Sequence, residues 1–294
     1  MNMKVLITIP SYNEEKTIGK VIREIKEVMD KTDYNYKILV VDDGSSDKTS
    51  KIAKDLGVII YSNKKNLGLI KTFKIEIEKC LELGADIIIH TDADGQYLAN
   101  DIPRLIKKIN EGYDLVIGSR FKHKNTKISF LKNIGNKAFA LVFSNIMKRK
   151  ITDTTSGFRA FTKDVAKNIS LINDFTYTQE QLIRAHKMGY MIGEIDIKTR
   201  KTRKSRLFKH PFQYAFKAWI NIFRIYRDFN PLNFFGIIGL ILFFIGFLIG
   251  LYFVRLHLTS GIKGHTGLLF LMIILIFSSI QIILFGFLAD MYKK

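Results

Sequence analysis

The stretch from Lys4 to Val28, KVLITIPSYNEEKTIGKVIREIKEV, changes its period halfway. Lys4–Pro10 is a short apolar run ended by a turn signal, the pattern of a strand buried on both faces. From there Ile18, Val21, Ile22, Ile25 and Val28 recur at helical spacing. The alternation continues outward, with strands at Tyr36–Asp42, Val58–Ser62, Asp86–Thr91 and Leu115–Ser119 and helices at Asp47–Leu56, Leu67–Leu83 and Ile102–Asn110. Such an order implies right-handed βαβ units and a mostly parallel sheet with helices on both faces, an α/β fold of Rossmann-like type. Past Arg120 the pattern loosens. Ile128–Met147 reads as helix, Gly157–Thr162 as extended, Tyr177–Met188 as helix and Met191–Ile197 as strand.

Ligands of such sheets bind beyond the carboxyl ends of the strands. Three strands end there in polar residues: Pro10-Ser11-Tyr12-Asn13-Glu14, Asp42-Asp43-Gly44-Ser45-Ser46-Asp47 and Thr91-Asp92-Ala93-Asp94-Gly95-Gln96. Carboxylates at i and i+2 just past a strand point the same way, and Asp92 and Asp94, with Gln96, are hard oxygen ligands suited to Mg2+ or Mn2+. A divalent ion there would bridge a pyrophosphate and neutralise charge on it as it leaves. Asp42 and Asp43 precede a strand-to-helix turn with a Ser or Asp cap, where a carboxylate can accept from the N–H edge of a base. The Gly44–Thr49 segment lacks the Gly directly before Lys-Thr that a phosphate loop requires. No Gly-x-Gly-x-x-Gly, Cys-x-x-Cys or His-Glu-x-x-His occurs, and His90 inside a strand reads as structural.

The chain has 294 residues, 47% of them hydrophobic, and a net charge of +19. That composition excludes a disordered chain, a collagen and a small disulfide scaffold, and a lone Cys80 makes no internal disulfide. No signal peptide is expected at the start. The charge invites a nucleic-acid reading, but its placement argues against one. Leu232 to Val254 and Gly267 to Ala289 are each free of charged residues and, at about 34 Å as helices, long enough to cross a hydrocarbon core. Directly before them Lys198, Arg200, Lys201, Arg203, Lys204, Arg206, Lys209, Lys217, Arg224 and Arg227 occur with no acid between Lys198 and Arg227. The positive-inside rule then puts residues 1–230 and the C-terminal tail in the cytoplasm, at the cell membrane. The division expected is a catalytic domain over 1–206, a basic and aromatic interface helix over 207–230, and a transmembrane hairpin over 231–294 with spans at 232–254 and 267–289. Gly236, Gly239, Gly246 and Gly250 share about 80° of arc on the first span. They should receive the second span, with self-association as the alternative, and Gln281 could hydrogen-bond across that contact.

PSYNEEKTI from Pro10, VVDDGSSDKT from Val40, NLGLIKTF from Asn66, TDADGQY from Thr91, VIGSR from Val116 and TDTTSGFRAF from Thr152 form an ordered set. In this order and spacing it resembles family 2 glycosyltransferases over roughly residues 4–230. With the basic segment and spans it is similar to their dolichyl-phosphate mannose synthase-like, or polyprenyl-phosphate glycosyltransferase, branch. The resemblance implies a glycosyltransferase A-type domain. It implies that Pro10, Tyr12 and Glu14 grip the nucleoside while Asp42 reads the base. Asp92, Asp94 and Gln96 match the metal and donor-phosphate motif, with Ala93 packing beside it. Arg120 matches a phosphate-side arginine, and Arg159 belongs to the Gly-Phe-Arg segment near the acceptor. Acceptor phosphate would fall to Lys132, Arg159, Arg203, Lys204, Ser205 and Arg206, with Asp94, Arg120, Arg203 and Arg206 carrying the catalysis. Lys132 stands where the family often has Arg, and Arg203-Lys204-Ser205-Arg206 lacks the glycine of the family's basic stretch.

A lipid phosphate is already ionised at neutral pH and attacks an anomeric carbon without a strong base. The protein must hold two anions in line and stabilise the departing nucleoside diphosphate. The expectation is therefore a metal-dependent, inverting transferase moving a hexose from a GDP- or UDP-sugar to polyprenyl or dolichyl phosphate. The rivals are a transferase acting on a glycolipid or glycan hydroxyl, with Glu180 or Asp153 as base, and a catalytically silent nucleotide-sensing membrane scaffold.

Overall fold

The computed structural model describes residues 3–121, 144, 151–169, 177–200, 220, 223–224, 226–259 and 264–292. The chain divides into two compact units, Met1–Pro211 and Phe212–Lys294. The first contains β1 (Lys4–Ser11), α1 (Ile18–Met29), β2 (Asn35–Asp42), α2 (Thr49–Asp55), β3 (Ile59–Ser62), α3 (Leu69–Glu82), β4 (Ile87–His90), α4 (Ile102–Asn110), β5 (Leu115–Ser119), β6 (Arg159–Thr162), α5 (Lys163–Asn168), α6 (Tyr177–Lys187) and β7 (Ile192–Asp196). The seven strands form one sheet in the order β3-β2-β1-β4-β6-β5-β7.

Alternation along the strands divides the core. Val5, Ile7, Ile9, Ile38, Val40, Ile87 and Ile89 join Ile18, Ile22 and Ile25 of α1 and Leu105 and Ile106 of α4 in one buried cluster. The intervening β4 residues Ile88 and His90 face the opposite way, towards Phe73 of α3, whose ring lies edge-on to His90 at 4.9 Å. Helices thus cover both faces, as the run of strands and helices implies. Chain direction reverses at one strand: β6 pairs antiparallel with both β4 and β5, while every other pairing is parallel. Thr162 caps α5, its side chain accepting from Val165 N, so the strand turns directly into a helix that the sequence reading leaves unassigned. The expected helix over 128–147 lies outside the described residues except for Ser144.

The connection from β1 runs to β2 on one side, and β4 returns on the other. That switch point opens a crevice at the carboxyl ends of β1, β2 and β4, where all three polar loops emerge.

The second unit contains α7 (Pro231–Thr259) and α8 (Thr266–Met291), 29 and 26 residues long and apolar enough to cross a membrane. They enclose the expected spans. A Cβ built on Gly239 would lie 2.5 Å from Ile283 and one on Gly246 2.9 Å from Ile276, so bare backbone lets α8 approach α7. Gly250 meets Met272 across the same seam, whereas Gly236 has nothing within 4 Å. The glycine strip is thereby occupied within the hairpin. Ser279 is buried in this seam, but Gln281 is exposed. Two residues beyond Ser279 a helix has turned about 200°, so Gln281 points away from the contact expected for it. Of the expected interface helix only 220, 223–224 and 226–230 are described, with Phe223 half exposed and its ring 6.1 Å from that of Phe234.

Candidate active site

The side of the crevice formed by the loops after β1 and β2 is interlocked. Asn13, with φ of 53°, takes Ser45 Oγ on its backbone N–H at 2.9 Å, and its Oδ1 accepts from Ser46 N at 2.9 Å. Glu14 N donates to Thr49 Oγ1 at 2.8 Å and Glu15 N to Asp47 Oδ2 at 3.1 Å. The first two strand-end loops are therefore one rigid body. Pro10 is buried at the end of β1, Tyr12 is exposed towards solvent, and Glu14 is buried with Oε2 accepting from Thr17.

The paired aspartates differ. Asp43 is consumed by structure: its carboxylate accepts from Asn63 Nδ2, Leu67 N and Gly68 N, each at 2.9 Å, and so ties down the loop before α3. Asp42, buried at the end of β2, accepts from Ser45 N at 3.1 Å. Gly44 makes this packing possible. Its φ is +73°, and a Cβ there would lie 2.6 Å from the Lys65 carbonyl carbon. Gly44→Ala should lower the melting temperature of the detergent-solubilised protein by about 5–10 °C and weaken nucleotide binding with it.

Across the crevice, Asp92 and Asp94 leave β4. Asp94 Oδ1 accepts from Gln96 N at 2.9 Å, which closes the turn, and buried Ala93 packs into the core. The Asp92 side chain is 34% exposed. Burial pushes its carboxyl pKa up, and the Asp94 charge adds to this while His90, Arg120 and Arg159 oppose it. Gly157 lies against it, since a Cβ there would come within 3.3 Å of Asp92 Oδ1. Among the described residues no group of three or more His, Cys, Asp or Glu side chains is arranged to hold a metal ion. Two hard carboxylates whose remaining ligands come from substrate phosphates and water do suit Mg2+ or Mn2+. Gln96 contributes its backbone to structure, its O accepting from Arg200 N at 2.9 Å.

Arg120 rises beside this pair on the end of β5. Its Nε donates to Asp153 Oδ2 at 2.7 Å and its Nη2 to Asp153 Oδ1 at 3.0 Å and Thr155 Oγ1 at 2.8 Å. Nearby anions raise its pKa above the ordinary arginine value, against the effect of burial. The Asp153 loop is in turn held by Glu194 of β7, which accepts from Thr152 N at 2.9 Å and Asp153 N at 3.2 Å. That clasp escapes sequence reading, because Glu194 sits inside an otherwise ordinary strand.

Arg159 departs from its expected place at the acceptor. It is wholly buried, donating from Nη1 to Thr178 O and Gln181 Oε1 at 2.9 Å each and from Nη2 to Ser156 O. Its β6 position is opposite His90, so both side chains lie on the same face of the sheet. Arg159 supports the 153–157 loop instead. Lys132, Arg203, Lys204, Ser205 and Arg206 lie outside the described residues. The chain leading to the last four does not: an antiparallel bridge joins Tyr97 and Thr199, and Arg200 pairs with Glu24 at 2.7 Å.

The family model for glycosyl transferase family 2 matches residues 6–170. UDP-N-acetylglucosamine–dolichyl-phosphate N-acetylglucosaminyltransferase of Methanococcus voltae is 34% identical over 227 residues, spanning 68% of this chain and 87% of that protein. Dolichyl-phosphate hexose transferase of Haloferax volcanii is 30% identical over 197 residues, 66% of this chain and 82% of that one. In shape the chain resembles glucosyl-3-phosphoglycerate synthase of Mycobacterium tuberculosis, solved with Mn2+, UDP-glucose and phosphoglyceric acid. The TM-score is 0.60 at 16% identity, covering 75% of this chain and 79% of that one, a likeness of glycosyltransferase A-type fold. Strand-end carboxylates, interlocked loops and a match over more than half the chain lead to one conclusion: the chain belongs to glycosyl transferase family 2.

Proposed function

We propose that the protein is a membrane-anchored, metal-dependent, inverting transferase that moves a hexose from a nucleotide sugar to polyprenyl or dolichyl phosphate at the cytoplasmic face. The observation that carries this reading is the route of the chain after β7. Backbone bonding of Tyr97 with Thr199 and of Arg200 N with Gln96 O brings it against the Asp92–Gln96 loop at the start of the basic run. Arg203, Lys204 and Arg206 follow from three residues beyond Arg200 in the sequence. A cationic acceptor segment beside the acidic donor cleft is what in-line attack by one anion on the sugar of another requires.

The two alternative bases support a phosphate nucleophile. Asp153 is wholly buried and bonded to Arg120, and Glu180 is 1% exposed and paired with Arg184 at 2.8 Å. Neither is disposed to take a proton from a hydroxyl, and an ionised phosphate needs none removed. Asp92 and Asp94 would hold the divalent ion, which when bound neutralises the leaving diphosphate. Arg120, locked by Asp153, presents fixed positive charge towards the same crevice. The relatives named for dolichyl-phosphate transfer support this acceptor class.

Membranes incubated with a panel of labelled nucleotide sugars should yield a labelled lipid only when polyprenyl phosphate is supplied. Labelling of a sugar-terminated lipid in its place would overturn the reading. Arg203→Ala and Arg206→Ala should each lower activity towards polyprenyl phosphate about 10- to 100-fold while nucleotide-sugar affinity changes little, since each loses a charge-assisted contact to phosphate. Lys209→Glu, affecting only attraction to anionic lipid at about 1 kcal/mol, should act weakly and alike on any lipid. Initial rates in detergent separate the two. Normal acceptor kinetics in both alanine variants would make the run a membrane anchor only.

A further inference from the structure

Beneath Asp92 lies a polar pair that the chemistry above does not use. α3 turns Thr72, Phe73, Glu76 and Cys80 towards the sheet, and the third of these is a carboxylate. Glu76 and His90 are both wholly buried, with Glu76 Oε2 2.8 Å from His90 Nδ1. Glu76 Oε1 has no hydrogen-bond partner among the described residues. As core filling this is a poor choice, because apolar side chains of the same volume generally match or exceed the stability of a buried ion pair. The other face of the imidazole explains its presence better. His90 Nε2 lies 3.4 Å from Tyr177 Oη and 4.0 Å from Asp92 Oδ1. Phe73 holds the ring edge-on, and the Tyr177 ring packs on Phe73 at 4.5 Å. Asp92 also meets Gly157, where even a methyl group would crowd Oδ1. Bare backbone at Gly157 and the His90 imidazole thus meet the same Asp92 oxygen, Oδ1, with the Tyr177 hydroxyl close to both.

We propose that Glu76 and His90 are positioning residues for the Asp92 carboxylate. Glu76 fixes the ring plane through Nδ1, and the Nε2 edge together with the Tyr177 hydroxyl fixes the direction in which Asp92 turns its oxygens to the donor side. This deepens the metal and donor reading of the crevice and rests on it. Groups that orient a ligating carboxylate commonly change metal affinity 10- to 100-fold when removed.

The test separates packing from positioning. In the full-length protein in detergent, Glu76→Leu combined with His90→Phe replaces the pair by apolar groups. Its melting temperature should equal or exceed that of the wild type. Its affinity for Mn2+ in the presence of UDP or GDP, read from the electron paramagnetic resonance of free Mn2+, should fall about tenfold or more. The turnover number should fall with it while KM for polyprenyl phosphate stays unchanged. Glu76→Gln keeps the shape and a hydrogen bond to the ring, and should restore Mn2+ affinity to within about threefold of wild type. If the double variant does not fold, Glu76→Leu alone, which frees the imidazole to turn, decides by the same measurement. Wild-type Mn2+ affinity in the apolar variant would overturn the inference and leave the metal assignment standing. Failure of the wild type to bind Mn2+ with either nucleotide would overturn the metal assignment and this inference together.

Discussion

Asp94→Ala should reduce turnover about 100- to 1000-fold, the loss typical when one preorganised group facing developing charge is removed from an active site. The side chain is not core, so circular dichroism and the thermal transition should be nearly unchanged. Locally it accepts from Gln96 N at 2.9 Å. Asp94→Asn keeps an oxygen for that bond, and should nevertheless lose almost as much activity, because it removes the charge and not the turn. Single-turnover transfer in detergent, with donor saturating, measures this directly. Wild-type rates in Asp94→Ala, or full activity in excess chelator, would remove the metal from the mechanism.

Asp153→Ala is expected to be the most damaging single change to the fold of the site. The residue is wholly buried and receives Nε, Nη2 and the backbone N–H of Arg120, as well as Thr155 N. Removing one partner of a buried pair strands the other, at a cost of about 3–5 kcal/mol. At about 2–4 °C per kcal/mol for a domain of this size, the melting temperature should drop by about 6–20 °C. The part that survives folding should bind donor nucleotide but transfer sugar slowly, as Arg120 loses its fixed direction. Asp153→Asn retains an acceptor oxygen and should recover most of the stability and only part of the rate. Equal stability of Asp153→Ala and wild type would show that the Arg120–Asp153 bond is made at no net gain.

Most of the sheet was legible because it is buried on both faces: runs such as IIIH in β4 and LVIGS in β5 contain no competing period. The crevice was legible for the same reason, since its residues follow directly on those runs. β6 was not. Four residues, RAFT, beginning with a buried arginine, say nothing about direction, and only the pairing with β4 and β5 sets it antiparallel. α5 was missed for its shortness, although Thr162 ahead of Asp164 was a readable cap signal. Among site residues, Asp92, Asp94 and Arg120 converge as expected, whereas Arg159 is drawn inward by backbone carbonyls that no spacing rule reveals. Asp153, a candidate base by sequence, is a counter-charge to Arg120. Glu194 and Glu76 belong to the same class. Each is an acid whose partner lies far away in the chain, so local pattern cannot distinguish it from an ordinary surface residue.

The late arrival of β6 between β4 and β5 also has a consequence for biosynthesis. β1 to β4 are complete by His90, but the neighbour that covers the free edge of β4 begins only at Arg159. At roughly 5–20 residues per second the ribosome needs about 4–14 s to deliver the intervening 70 or so residues. During that interval the nascent chain shows an apolar, unpaired strand edge, a template for association with other chains. The half of the crevice built by the loops after β1 and β2 can form in that time, while the half that bears Arg120 and its carboxylate partner cannot. Ribosome-bound chains arrested near residue 115 should therefore recruit chaperones that recognise extended apolar segments, and chains arrested beyond residue 200 should release them.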